Sequence, residues 1–389
     1  MIRVVDLFSG AGGLTLGFQN RIINNTFLPM SDYNILFANE VDKHASEAFS
    51  LNFPQIPMLN CSITELTEDY LDNHEIEYSN IDLVIGGPPC QSFSTVGRRQ
   101  YDEKATMYKE YRRMLSFLQP KVFLFENVTG LLTMKNDEGE PVLEDIRKEF
   151  GDFSDFEIDL TYEIRETVLN AKHFGVPQNR ERVFLLGIRK DLEIKQNWEF
   201  PERLLFEDDF LTLEDAIGDL PALRNGERKD AYDGDPYTPY QNLMRNNSTI
   251  LMDHFNGLNG EKMLRIMETV IPGEGKKYIN VLVESGQLDS KYYLTSGYNN
   301  TYSKLWWDRP SSTITNNLST PSSFRCIHPI QNRALTPREG ARIQSFPDTF
   351  QFVGSKEKIN SQIGNAVPPL LAIVIAQEIY NFFEENNWI

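Results

Sequence analysis

The residues best suited to chemistry in this 389-residue chain lie in three short stretches. Cys90 stands in the loop Gly86-Gly87-Pro88-Pro89-Cys90-Gln91. Two prolines stiffen that loop and remove backbone donors, which holds a thiol in one direction at the mouth of a site. A nucleophilic cysteine needs a base or a positive environment to become thiolate, and none of the five histidines completes an obvious Cys/His protease signature. Glu126 ends the apolar run Lys121 to Asn127. A carboxylate buried there is costly unless paired or neutral, so it reads either as a poised acid or hydrogen-bond donor, or as a strand-end group that reaches water. Gln178-Asn179-Arg180-Glu181-Arg182 precedes another apolar run and, taken alone, reads as an exposed turn.

A second group of residues suits a ligand. Ser9-Gly10-Ala11-Gly12-Gly13 follows the first apolar run, and Glu40 closes the next. Glycines let a ligand approach the backbone and aim helix N-terminal N–H groups at it, while an acid ending the following strand suits ribose hydroxyls. Together they point to a nucleoside cofactor. Thr15 stands where a dinucleotide fingerprint would carry its third glycine, which weakens NAD or FAD and leaves S-adenosylmethionine open. The bland alternative is a tight strand-to-helix turn.

These residues need a scaffold that brings strand ends together. Short β-rich apolar runs (Arg3 to Phe8, Ile35 to Asn39, Ile81 to Gly87, Lys121 to Asn127, Thr161 to Leu169, Arg182 to Arg189) alternate with helical patterns from about Leu14, near Lys43 to Leu51 and near Thr106 to Leu118. That alternation predicts an α/β fold with a doubly wound, mostly parallel sheet, whose ligands sit beyond the carboxyl ends of the strands. The glycine turn, Glu40, the Pro-Pro-Cys loop and Glu126 all fall there. From about Asp191 to Pro329 the pattern decays into a Pro/Gly/Asn-rich stretch with tandem Trp306 and Trp307, which predicts a smaller, irregular, β-rich second domain of loops and short strands. The expected division is 1–190 completed by 330–389, with 191–329 as the second unit. Near the end, Asn365 reads as a cap for a helix with two prolines in its first turn, too apolar to stand alone.

Composition is that of a soluble globular protein, 40% hydrophobic and 24% charged. Cys61, Cys90 and Cys326 are far apart with no C-x-x-C pair, so no metal is expected, and a reducing cytoplasm is. Asp6 interrupts the N-terminal apolar run, and Val367 to Ala376 is too short to span a bilayer, so no membrane association is expected. The net charge of -18 argues against a nucleic-acid partner until it is located. Three windows, Glu65 to Glu77, Asp137 to Asp159 and Glu199 to Asp219, hold more than all of it. Net charge then stops deciding against such a partner; were it DNA, the basic windows Arg98 to Lys121 and Ser322 to Ser345 would be expected to line its cleft, with the acidic runs facing away.

The ordered set of motifs resembles the cytosine-5 DNA methyltransferase family over nearly the whole chain. Asp6 to Gly13 looks like the cofactor loop, Glu40 the ribose acid, Gly86 to Ser94 the catalytic loop, and Glu126 to Val128 the acidic motif. Gln178 to Arg182, Arg333 to Asp348 and Gly364 to Pro369 are similar to the later motifs, and Thr313 to Thr315 fits the thin signature of the target-recognition region. The family's Gly-Asp-Ile segment reads Cys61-Ser62-Ile63 here, which leaves Ser62 as a weaker adenine contact.

The resemblance implies a Rossmann-like bacterial enzyme that transfers methyl from S-adenosylmethionine to carbon 5 of a cytosine flipped out of double-stranded DNA. It implies Cys90 as nucleophile at carbon 6, Glu126 and Arg182 on the ring, and Arg180 beside them. Cofactor contacts are expected from Phe8, Ser9, Gly10, Gly12, Gly13, Leu14, Glu40, Ser62, Ile63, Pro88 and Asn365, and DNA contacts from Arg98, Arg99 and Thr313. A monomer on the bacterial nucleoid, with a possible cognate restriction endonuclease, is the implied setting. The family's tRNA-methylating branch and a catalytically silent binding protein are the competing classes.

Overall fold

The computed structural model describes residues 1–89, 107–136 and 138–389. Its elements run β1 (Ile2–Leu7), α1 (Gly13–Gln19), β2 (Asn20–Ile23), β3 (Thr26–Pro29), β4 (Tyr33–Asn39), α2 (Lys43–Asn52), β5 (Met58–Leu59), α3 (Glu68–Asn73) and β6 (Leu83–Gly86). These are followed by α4 (Met107–Leu118), β7 (Val122–Val128), α5 (Val142–Gly151), β8 (Tyr162–Asn170), β9 (Gln178–Asn179) and β10 (Glu181–Arg189). The remainder holds α6 (Leu213–Ile217), α7 (Pro239–Arg245), α8 (Glu261–Thr269), α9 (Lys276–Glu284), β11 (Ser311–Ser312), α10 (Pro337–Ile343), α11 (Lys356–Asn365) and α12 (Pro369–Glu385).

Seven strands form the main sheet in the order β5-β4-β1-β6-β7-β10-β8. The strands from β5 to β7 run parallel, and β10 lies antiparallel to both β7 and β8. Alternate side chains of β1 feed two cores. Ile2 and Val4 pack on one face with α1, α2 and α12, and Val5 and Leu7 on the other with α4 and α5. This is the doubly wound arrangement expected from the alternation of runs. Between α1 and β4 lies an unforeseen hairpin, β2–β3, turned by Asn24 and Asn25 at positive φ. Such paired Asn residues favour a two-residue hairpin loop.

α12 is buried along one side in the core it shares with α1. Gly17 of α1 lies so close to Ala372 that a Cβ there would fall 2.3 Å from the alanine methyl, so the two helices meet backbone to backbone. Asn365 is the last residue of α11 rather than the cap of α12. Pro368 and Pro369 lack N–H groups, so the first donor needing a partner is Leu370, which finds the Ser345 hydroxyl at 3.1 Å.

The 191–329 stretch is irregular as expected, but its regular elements are four helices of five to nine residues rather than strands. Thr212 and Thr238 start two of them with capping boxes, a local signal too short to register as helical periodicity. Strand structure there is limited, among the described residues, to β11 and isolated bridges. Leu213, Ala216, Tyr240, Leu243 and Met244 join the core of the main sheet, whereas Ile266, Met267, Val270, Ile279, Leu294 and Ile327 form a small core of their own.

Candidate active site

The site collects at the carboxyl ends of β1, β4, β6 and β7 and the amino end of β10, as the topology requires. β1 ends at Leu7, and Phe8 just after it, with φ of 57°, turns the chain into the glycine loop. Ser9 N–H donates to the Asn39 carbonyl at 3.0 Å, which fastens the loop to the neighbouring strand end. Gly10 also has positive φ, and no atom lies within 4 Å of where its Cβ would be, so the loop backbone is open on that side. Gly12 is the opposite case, since a Cβ there would strike the Phe53 ring at 2.4 Å, and one on Gly13 would strike the Val367 carbonyl at 2.5 Å. Leu14 is buried behind them.

Glu40 braces the loop. Its carboxylate accepts from Gly10 N–H at 3.0 Å and from Asp42 N–H at 2.7 Å. Burial raises its pKa, and these backbone donors only partly oppose that. Asn39 ties in the next segment through the carbonyls of Leu59 and Cys61. Ser62 caps a short 3₁₀ turn, Ile63–Glu65, and accepts from Thr64 N–H while Glu65 accepts from Ser62 N–H. Ile63 is buried, and its carbonyl is held by Arg113 at 2.6 Å. Asn365, at the end of α11, is exposed and donates to the Ser361 hydroxyl at 3.3 Å.

On the other side of β6, Glu126 and Arg182 stand diagonally across the β7–β10 pair, because Phe184 lies opposite Glu126 and Arg182 opposite Val128. Residues 182 and 184 share a face, so the guanidinium meets the carboxylate, with Arg182 Nε 2.9 Å from Glu126 Oε1. Burial raises the Glu126 pKa, and the opposing pull of Arg182 and Arg180 does not cancel it. The Gly-Pro-Pro loop is fitted to this acid. A Cβ on Gly87 would lie 2.7 Å from Glu126 Oε2, and Asn127 donates to the Pro88 carbonyl at 3.4 Å. Cys90, Arg98 and Arg99 lie outside the described residues.

Two expectations change here. Gln178 and Arg180 are fully buried, not part of an exposed turn. Arg180 donates to the carbonyls of Ile314, Gly364 and Ala366, which places it behind Glu126 as a junction between segments. Gln178 accepts from Ile314 N–H and donates to Gln344, which in turn donates to the Ile363 carbonyl. Thr313 donates to the Asn179 carbonyl at 2.8 Å, beside the β9–β11 pair. Gln178 and Gln344 were missed as junction residues, and only their places in recognisable motifs could have drawn attention to them.

The basic windows differ more sharply from expectation. Arg333, Arg338 and Arg342 are at most 1% exposed, so they cannot line a cleft. Arg333 forks onto Glu339 at 2.6 and 2.7 Å, and Arg342 bridges Asp348 and Asp219 at 2.7 and 2.8 Å. Asp219, from one of the acidic windows, is therefore interior rather than on an outer face. In the other basic window, Arg112 pairs with Asp155, Arg113 with Glu110 and Lys121 with Asp82.

The fold and site just described belong to a recognised class: residues 2–381 match the C-5 cytosine-specific DNA methylase family, and the chain is a member of it. It is 34% identical to the type II methyltransferase M.DdeI of Desulfomicrobium norvegicum, over all of this chain and 91% of that one. It is 33% identical to the type II methyltransferase M1.HphI of Haemophilus parahaemolyticus, over 97% and 86% respectively. Among solved structures, a chain described as a DNA modification methyltransferase encoded within an E. coli prophage matches with TM-score 0.71 and 25% identity, covering 99% of this chain and 100% of that one. A Spodoptera frugiperda DNMT2 mutant shares the fold with TM-score 0.56 at 18% identity, covering 98% and 100%.

Proposed function

We propose that this chain is a type II, site-specific DNA cytosine-5 methyltransferase that protects the sites of a cognate restriction endonuclease, as a monomer in the bacterial cytoplasm. The observation that carries the mechanism is the Glu126–Arg182 pair, with Gly87 packed close against the Glu126 carboxylate. A flipped cytosine offers ring nitrogen 3, an exocyclic amine and a carbonyl oxygen, which match an acid and a guanidinium side by side. Glu126, inclined to stay protonated by its burial, donates to nitrogen 3 and accepts from the amine. Arg182 donates to the oxygen at carbon 2. Cys90 adds its sulfur to carbon 6, which turns carbon 5 into a nucleophile, and after transfer a base takes the carbon 5 proton and the sulfur leaves.

S-adenosylmethionine, when bound, supplies the electrophilic methyl group and departs as S-adenosylhomocysteine. The residues suit it: the open backbone at Gly10 accommodates close approach, and the unused lone pairs of Glu40 suit ribose hydroxyls. Phe8, Ser9, Gly12, Gly13, Leu14, Ser62, Ile63, Pro88 and Asn365 are the proposed walls of that pocket. Arg180 holds those walls to the acid rather than touching the base. Arg98, Arg99 and Thr313 are the proposed DNA contacts, and 191–329 is the proposed target-recognition unit, set on a catalytic unit of 1–190 completed by 330–389.

The test is incubation with tritiated S-adenosylmethionine and either duplex DNA or tRNA, followed by analysis for 5-methylcytosine. Label in DNA is expected. No transfer, transfer to tRNA alone, or full transfer by Cys90→Ser would overturn the proposal. Bisulfite sequencing of DNA from an expressing host identifies the recognised site.

A further inference from the structure

The window Ser322 to Ser345 holds four arginines, and three are buried, Arg333 and Arg342 in ion pairs and Arg338 on the carbonyls of Met252, Pro347 and Phe350. Arg325 is different. It is half-buried, and its guanidinium lies over the Trp306 ring at 5.5 Å and over the Phe324 ring at 5.0 Å. Among the described residues it has no ion pair. A second guanidinium, that of Arg309, lies 4.9 Å from the centroid of the same Trp306 ring and, among the described residues, is ion-paired to its neighbour Asp308 alone. Two cations thus approach one indole, and Asp308 is the one carboxylate ion-paired to either of them among the described residues.

The platform is fixed. Trp306 lies against the backbone of Gly273, where a Cβ would fall 2.4 Å from the indole, and φ of +85° independently favours glycine. Bridges from Thr301 to Phe324 and from Lys304 to Ile327 bind the two arginine-bearing segments together. The chain then runs from Trp306 to Ser311 over five residues, at most about 18 Å if fully extended. Ser311 and Ser312 pair with Gln178 and Asn179, a few residues before Arg182. Arg325 also has φ of 42°, an unusual conformation for a side-chain-bearing residue and one that functional positions often retain.

We propose that Arg325, supported by Trp306 and assisted by Arg309, binds a DNA phosphate at the edge of the target-recognition region. This rests on the reading of the chain as a DNA methyltransferase. Stacking restrains the guanidinium plane while leaving its N–H edge available to a phosphate, and an anion relieves the repulsion between the two cations.

The test measures equilibrium binding of the full chain to a labelled duplex carrying the methylated site and to a scrambled duplex, across a salt series. Arg325→Ala and Arg325→Gln should weaken both complexes several-fold and reduce the slope of log affinity against log salt by about one unit. Arg325→Lys should keep the slope, and kcat at saturating DNA should stay unchanged while KM for DNA rises. Unchanged affinity and slope in the Ala and Gln variants overturn the proposal, as does a loss confined to the methylated site, which would mean a base contact. If wild-type protein binds and methylates DNA while these variants match it, only the Arg325 assignment fails. If wild type does neither, the methyltransferase reading fails with it.

Discussion

The chain contains two kinds of buried arginine–carboxylate pair. At the site, Glu126 meets one guanidinium through Arg182, and burial wins, so the acid is pushed upward. In the Arg333–Asp348 segment, burial would raise Glu339 and Asp348 too, yet both are held below their usual range, Glu339 by Arg333 and Asp348 by Arg342. The difference is geometry. Glu339 takes both prongs of Arg333 and the Thr336 N–H, and Asp348 takes two bonds from Arg342 and one from the Tyr232 hydroxyl. A carboxylate with its lone pairs so occupied stays ionised and immobile. Glu126, whose ion pair runs from Arg182 Nε to Oε1, keeps capacity for another partner, as its proposed role on a nucleobase requires.

That contrast is broken most directly at the site. Glu126→Gln preserves shape but removes the acid, and methyl transfer should fall by about a hundredfold to a thousandfold or more. Thermal stability should hold or rise, since a desolvated acid is lost. A melting temperature that fell as far as that of a buried-pair variant would show that Glu126 is a structural partner like Asp348.

Arg342→Met tests the other side. It leaves Asp348 and Asp219 buried with their main partner gone, and should cost about 3–5 kcal/mol in chemical denaturation. Arg245 and Tyr232 remain on these acids and keep the loss finite. A loss below about 1 kcal/mol would mean that the pair is no keystone.

Asp6 lies between the two kinds, with no arginine paired to it among the described residues. It is fully buried, takes the Thr15 hydroxyl at 2.6 Å, and leaves Oδ1 without a hydrogen-bond partner among them. Burial carries its pKa to about 7, against the pull of Thr15 and helped by the charge on Glu40. The folded value is above the unfolded one, so its contribution to stability is full at low pH and is lost as pH rises through about 7. The stability of wild type relative to Asp6→Asn should therefore drop by roughly 2–3 kcal/mol between about pH 5 and about pH 8. A pH-independent difference would place Asp6 with the satisfied acids.

The sheet was legible because its strands are continuous apolar runs, and the site because its residues sit at strand ends. The hairpin β2–β3 was not, since its four-residue edge strands carry little apolar alternation around Asn24-Asn25. The arginines of α10 were misread for a general reason: charged side chains default to the surface, and only a partner remote in sequence, such as Asp219, reverses that. Thr336-Pro337-Arg338-Glu339 carries a helix-start pattern, with Pro in the first turn and a capping box, that went unread. What it could not announce was that its Glu also receives Arg333.

Ser62 poses the same choice between a fixed and an exchangeable group at lower stakes. Its position three residues past β5 suits an adenine contact, but its hydroxyl already accepts from Thr64 N–H at 3.3 Å and lies 2.8 Å from the Thr64 hydroxyl. Ser62→Ala removes the cap, and should lower stability by about 1 kcal/mol. If capping is its whole role, KM for S-adenosylmethionine should change less than about twofold, because that loss is felt equally by the free and loaded enzyme. A tenfold rise in KM with unchanged melting temperature would instead make Ser62 a cofactor contact, since about 1.4 kcal/mol would then have been lost from binding rather than from folding.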